Sequence, residues 1–321
     1  MDPPPTRVKD DDEADQRQDL SSTLLARPTL SHVGSPTARV ALIVILGVSL
    51  IVPAARSIAA RGASGGERSP PKVWPRSVYP SPGAIRRARR FAATRGDVSF
   101  AVIDRSLGLR GYDYARQFSS ASVSKALLLA AALRRLDREG LPLDSGTKAV
   151  LEPMITYSDN RAADAVYAQV GDDGLEEVAR GAGMRHFEPT PGFWGGDRIT
   201  AADTARFFYR LEANLPGPHR AYAKRLLSRI TPVERWGIPQ VVGAGWSIWF
   251  KGGWRPPGHR HNTGTVTHQA ALLEHRRGER LALAVLTEEP PGDGSGFAAI
   301  EGVAERLLAS PPPYRGGWVA P

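Results

Sequence analysis

The stretch "FSSASVSKALLLAAALRRLDREG", residues 118–140, places a lysine one turn into an otherwise apolar helix, directly behind a cluster of serines. Lys125 is the only charge between Arg116 and Arg134. Leu127, Leu128, Ala131 and Leu133 fall on the core-facing side, so Lys125 is drawn inward with them. A buried ammonium is costly, and it either shifts its pKa or finds a partner. Two readings follow. Ser122 is a helix cap and Lys125 snorkels outward, or the amine has a chemical task. The second reading has a geometric basis. Ser122 and Lys125 satisfy Ser-x-x-Lys, and positions i and i+3 share a helix face. The amine can then approach the hydroxyl and take its proton, while the positive end of the helix dipole favours a developing oxyanion. The spacing alone is weak, because it recurs at Ser69–Lys72 in a proline-containing linker and at Ser145–Lys148 in a polar turn.

Outward from this helix, the chain reads as an α+β domain over 81–310. "SPGAIRRARRFAATRG" begins with a Ser cap and Pro82, which predicts a helix. "DVSFAVIDRSLGLRGYDY" alternates and turns at Ser106–Gly108, which predicts a hairpin. A mostly helical middle runs from Ser122 to about Ile230. Strand character returns in "GWSIWFKGG", "GTVTHQAALLEH" and "RLALAVLTEE", the last two joined by "RRGE". "GFAAIEGVAERLLAS" closes as an amphipathic helix. Strands at both ends around a helical insertion imply an antiparallel sheet assembled from both termini and flanked by helices, with an all-α subdomain beside it.

Two more segments carry chemistry. "MITYSDNRAADAVY" sets Ser158, Asp159 and Asn160 between two helical stretches, where a helix cap is the plain alternative. "FKGGW" ends a strand on Lys251, followed by Gly252 and Gly253, and backbone without side chains can approach a ligand closely. The ordered set Ser-x-x-Lys, Ser-Asp-Asn, Lys-x-Gly resembles the signature of class A β-lactamases and penicillin-binding proteins. The resemblance extends over Ala84 to Leu308. It implies the serine β-lactamase/D,D-peptidase-like fold and a serine hydrolase that forms an acyl-enzyme. Carried over residue by residue, it makes Ser122 the nucleophile, Lys125 a proton acceptor and Ser158 the relay to the leaving nitrogen. Asn160 would hold the substrate amide, and Lys251 would attract the substrate carboxylate. The backbone N–H groups of Ser122 and Trp254, beside Gly253, would form the oxyanion hole. The resemblance implies no cofactor and no metal.

The match has departures. In class A enzymes a glutamate activates the deacylating water, supported by an asparagine four residues on. Here the candidate is Glu188 in "MRHFEPTPGFWGGDRITAADTARFF", and the fourth residue on is Gly192. Gly252 stands where the family usually has Ser or Thr, with Arg255 or His268 as possible replacements for the missing hydroxyl. His259 and His261 read as loop residues, because no third metal ligand accompanies them. The expected activity is β-lactamase-like cleavage of a β-lactam or related amide. The alternatives are a D,D-peptidase-like cell-wall enzyme and a non-catalytic wall-peptide-binding protein of the same fold.

The rest of the 321 residues bounds these readings. There are no cysteines, which excludes disulfides, thiol catalysis and cysteine-bound metal. The net charge is +9, from 42 basic residues against 33 Asp and Glu; the 36 Arg and 6 Lys are scattered along the chain, so no nucleic-acid surface is expected. Residues 1–39 are acidic, contain proline and hold few large apolar residues, which predicts a disordered tail. Val40 to Ala55 carries no charge and reads as a membrane anchor or a signal h-region. Basic residues follow that run as well as precede it, so they do not set its orientation. Residues 56–80 read as a linker and 311–321 as a tail. The substrate chemistry implies an extracytoplasmic domain, anchored by residues 40–55 or secreted if they are cleaved. The oligomeric state is not legible.

Overall fold

The computed structural model describes residues 78–106, 108–258, 263–289 and 294–310. The tail 1–39, the apolar run 40–55, the linker up to residue 77, His259, His261 and the tail 311–321 lie outside the described residues. Among the described residues, no helix is long and apolar enough to cross a membrane.

α1 (Pro82–Ala92) starts at the predicted cap: Ser81 Oγ accepts from the Ala84 N–H at 3.2 Å, and Pro82 fills a first-turn position that needs no donor. β1 (Asp97–Asp104) and β2 (Leu109–Tyr112) form the expected hairpin, with Ile103 opposite Leu109. A short strand, β3 (Gln117–Ser119), leads into a 3-10 turn, Ala121–Ser124. α2 (Lys125–Glu139) follows and stops at Gly140, whose φ of 65° ends the helix. Ser122 therefore sits in the tight turn ahead of α2, not within its first α-helical turn. α3 (Ser145–Thr156) and α4 (Asn160–Ala182) come next; Asp159 caps α4 by accepting from the Ala162 N–H at 2.8 Å.

The helical middle is interrupted by β4 (Arg198–Thr200), which pairs antiparallel with β3. Three residues are too few to show a period of two, so neither strand is visible in the sequence. Thr200 then caps α5 (Ala201–Tyr209), accepting from the Asp203 N–H at 3.1 Å. α6 (Leu211–Asn214), α7 (Arg220–Ser228) and α8 (Ile238–Val241) lead to the last strands, β5 (Trp246–Arg255), β6 (Thr265–His275) and β7 (Arg280–Glu289), and to α9 (Ser295–Leu308).

The five longer strands make one antiparallel sheet in the order β2-β1-β7-β6-β5. β1 lies beside β7, with Phe100 opposite Val285, so the sheet is built from both ends of the domain as the sequence predicts. Leu281 to Leu286 are all buried, which explains why β7 reads as a continuous apolar run and not as an alternation. Thr267 and Thr287 face α9, where Gly296 packs against both. The next pair along, His268 and Leu286, points to the opposite face, toward the turn that carries Ser122.

His268 ties that turn to the sheet. Its Nδ1 accepts from the Thr287 N–H at 3.2 Å, so Nε2 carries the proton and donates to the Ser119 carbonyl at 2.8 Å. Burial pushes its pKa down to about 4. The unfolded chain takes up this proton near pH 6.5 and the folded chain only near pH 4. The neutral imidazole's stabilisation is therefore lost as pH falls through that window, to a limit of roughly 3 kcal/mol. The difference in Tm between wild type and His268→Gln should narrow from pH 7 to pH 4, as read by calorimetry. A constant difference would contradict the assignment.

Candidate active site

Lys125 does not snorkel; its side chain is wholly buried. Its amine donates to the Ser158 carbonyl, to Asn160 Oδ1 at 2.7 Å and to Ser158 Oγ at 3.3 Å. Burial first, and then the Lys251 ammonium, push its pKa down to about 7, against an opposing pull from Glu234, Asp159 and Asp164. Much of it is therefore a free amine at neutral pH, able to accept a proton. Lys251, on β5, is also wholly buried and donates to Ser158 Oγ and to the Gly252 carbonyl, both at 2.9 Å. Burial pushes its pKa down to about 8, opposed by Glu234.

The Ser158 hydroxyl thus lies between two amines. Its backbone has φ of 58°, a left-handed conformation that costs a non-glycine residue about 1–2 kcal/mol. The Tyr157 and Asp159 N–H groups both donate to the Pro153 carbonyl at 3.1 Å, and Asp159 caps α4, so the surrounding turn holds that conformation. The cap and the chemical reading of Ser-Asp-Asn therefore coexist: Asp159 caps, while Ser158 and Asn160 meet Lys125.

Ser122 is joined to this group through the sheet. A Cβ at Gly253 would fall 2.7 Å from Ser122 N and 2.9 Å from Val123 N, so only glycine lets β5 come this close to the turn. Ala121, just ahead, has φ of 46°. The Ser122 side chain is half-buried, and its hydroxyl makes no hydrogen bond with the described residues. Trp254 follows Gly253 with 53% of its surface exposed. The fold therefore gathers Ser122, Lys125, Ser158, Asn160, Lys251, Gly253 and Trp254 in one place, from α2 and its turn, from the start of α4 and from β5.

Glu188 is placed elsewhere. It is exposed, its backbone exchanges hydrogen bonds with Arg198, and its carboxylate accepts from Gln117 Nε2 at 2.9 Å. It sits at the neck of the loop that runs from 188 to 198, and the tip of that loop delivers a different side chain. The Trp194 ring centroid lies 4.9 Å from Lys125 Nζ, and its Nε1–H donates to Asp164 Oδ1 at 2.8 Å. The loop is tied down on the side of the serines. Ser120 Oγ donates to the Trp194 carbonyl at 3.0 Å, and Arg255 Nη1 to the Gly195 carbonyl at 2.7 Å. Sequence reasoning missed Trp194. The available signal was Asp164, one turn beyond Asn160 on the same helix face.

The replacements considered for a hydroxyl at 252 also have other work. Arg255 is committed to the loop, and His268 is buried between Ser119 and Thr287. The space beside Gly252 is filled by an indole: a Cβ there would lie 2.7 Å from Trp236 Cζ2.

A family model described as "Beta-lactamase enzyme family" matches residues 145–310. No curated protein matches the chain. Solved structures do. A β-lactamase from Sphaerobacter thermophilus shares 21% identity over 70% of this chain and 95% of its own, with a TM-score of 0.59. A class A β-lactamase from Mycobacterium abscessus shares 20%, over 70% and 98%, with a TM-score of 0.60. A mutant of PBP-A, solved as an acyl-enzyme complex with penicillin-G, shares 19%, over 70% and 95%, with a TM-score of 0.59. At these identities the likeness is one of fold.

Proposed function

Since the chain belongs to the beta-lactamase enzyme family, whose model matches residues 145–310, we propose that it forms an acyl-enzyme on Ser122 by opening a β-lactam or a related amide. The observation that carries this reading is the convergence of Lys125 and Lys251 on one hydroxyl, with glycine backbone held against Ser122. Ser122 Oγ attacks the carbonyl carbon, and its proton passes to the free amine of Lys125. Negative charge on the carbonyl oxygen is met by the N–H groups of Ser122 and Trp254. Ser158, in contact with both amines, hands a proton to the leaving nitrogen, and Asn160 holds the substrate amide.

Release of the acyl group by water is slow in this reading. Trp194, not a carboxylate, lies over Lys125, and Glu188 is held by Gln117 at the loop neck. An indole cannot take a proton from water. This separates a penicillin-binding or peptidase-like acyl-enzyme from an efficient lactamase.

The test is intact-mass spectrometry of the protein treated with penicillin-G. A persistent adduct mapped to Ser122 and absent from Ser122→Ala is expected. Glu188→Ala should leave its lifetime within about twofold, as for a surface substitution. Rapid loss of the adduct, restored to persistence by Glu188→Ala, would reinstate a hydrolytic role for Glu188. No adduct in a folded sample would favour wall-peptide binding without chemistry.

The acylation rate should follow the free-amine form of Lys125. Its pKa is depressed, so protonation below about pH 7 removes the acceptor. The rate should fall about tenfold per pH unit below that value and level off above it. Stopped-flow acylation between pH 5 and 8 reads this directly, and a flat profile would exclude Lys125 as the base.

The substrate class also bears on place. We assign the domain to the outside of the cytoplasmic membrane, carried there by residues 40–55. Protease accessibility in intact cells, with and without that segment, tests the assignment.

A further inference from the structure

The Trp194 indole stands between two groups with unequal access to water. Lys125 is wholly buried, and its amine lies 4.9 Å from the ring centroid. Asp164, one turn beyond Asn160 on α4, is exposed, and its charge is among those felt by Lys125. The indole Nε1–H, at 2.8 Å, is the one hydrogen-bond donor to the Asp164 carboxylate among the described residues. Trp194 itself is buried, so its ring partitions a solvent-facing carboxylate from a buried amine.

The loop holds the ring there from several sides. The Ser120 N–H donates to the Asp197 carbonyl at 2.7 Å, in addition to the bond from Ser120 Oγ to the Trp194 carbonyl. From α4, Tyr167 Oη accepts from the Gly192 N–H at 3.0 Å and donates to Asp172 Oδ1 at 2.5 Å. Thr190 closes the loop on itself: its N–H donates to Asp197 Oδ1 at 3.0 Å and its Oγ1 to the Gly196 carbonyl at 2.7 Å. A loop fastened in this way keeps its tip in one place, and a site closed against water protects a reactive intermediate from hydrolysis.

Resting on the acyl-enzyme reading above, we infer that the Trp194 indole is a plug that keeps water, and with it the Asp164 carboxylate, away from the acyl group on Ser122. Trp194 is a positioning residue in this scheme and sets how long the acyl-enzyme lasts. Without the indole, the space left would be lined by an amine and a carboxylate, the polar partners that water of about 30 Å³ per molecule needs in order to settle there. In the step that the plug prevents, the water oxygen bonds to the acyl carbon and its proton passes to Asp164. The bond to Ser122 Oγ then breaks, and Oγ takes that proton, which leaves a free acid and the resting serine.

The lifetime of the Ser122 adduct tests the inference. The full-length chain is treated with penicillin-G, excess reagent is removed, and the adduct is followed by intact mass. The wild-type adduct should persist. Trp194→Ala should shorten its lifetime by about 10²-fold, the low end of what a positioned general base contributes. Trp194→Phe keeps a ring over Lys125 without the N–H, and its adduct should last about as long as the wild type's. Adding Asp164→Asn to Trp194→Ala should restore persistence, which a loosened loop alone would not do. Circular dichroism reports folding; Trp194→Leu replaces the alanine variant if that fails to fold, and the single variants decide the matter if the double variant does. Rapid loss in the wild type, a persistent adduct in folded Trp194→Ala or Trp194→Leu, or rapid loss in the folded double variant each overturns the inference while leaving acylation of Ser122 intact. No adduct on the folded wild type overturns both.

Discussion

Lys125→Ala is expected to slow Ser122 acylation by about 10²–10⁴-fold, the usual contribution of a positioned proton acceptor. The amine is wholly buried, lies within hydrogen-bond reach of three acceptors of the Ser158–Asn160 segment, and has its pKa pushed down to about 7 by burial and by Lys251. Removing it takes away the proposed base and leaves Asn160 Oδ1 without that donor. Two controls separate chemistry from structure. Tm reports the packing loss, and the pH profile of the residual rate reports the base. If Lys125 accepts the proton, the rise through pH 7 disappears in the variant. A variant that keeps both the profile and more than a tenth of the rate would remove Lys125 from the mechanism.

Gly253→Ala should be nearly as damaging, with about 10²–10³-fold loss, through a different cause. The added methyl would meet Ser122 N at 2.7 Å and Val123 N at 2.9 Å, and both are backbone atoms that cannot swing aside. Either β5 or the Ala121–Ser124 turn must move, and the Ser122 and Trp254 N–H groups proposed as the oxyanion hole would then lose their common target. The loss should appear in the maximal acylation rate more than in the concentration dependence, because donors aimed at a developing oxyanion act on the transition state. An unchanged rate would mean that the charge is stabilised elsewhere.

Some of this site is legible in the chain and some is not, for physical reasons. Lys125 stands out because a lone charge in "KALLLAAAL" needs an explanation, and its three acceptors supply one. Ser158 and Lys251 are legible as members of an ordered set, and the sheet is legible because β6 and β7 are long enough to show their pattern. Trp194 and Trp236 are not legible. Each acts where its loop happens to land, on Lys125 and on Gly252, and no periodicity encodes that contact. Glu188 shows the reverse failure. Glu-Pro draws the eye as a motif, but only the pairing of residues 188 and 198 shows that it closes the loop from outside. His268 drew attention as a possible ligand contact, and its work is to fasten Ser119 to the sheet.

The sheet closes by placing β1 against β7, so its first strand has no full partner until nearly the whole domain has been synthesised. A chain still emerging from the ribosome would hold its serine and its first lysine, yet lack the glycine backbone and second amine that complete the cleft. Such a molecule stays inert until its last strands arrive. Removal of β7 and α9 should therefore silence the protein as thoroughly as removal of the nucleophile, although every residue that touches substrate would still be present.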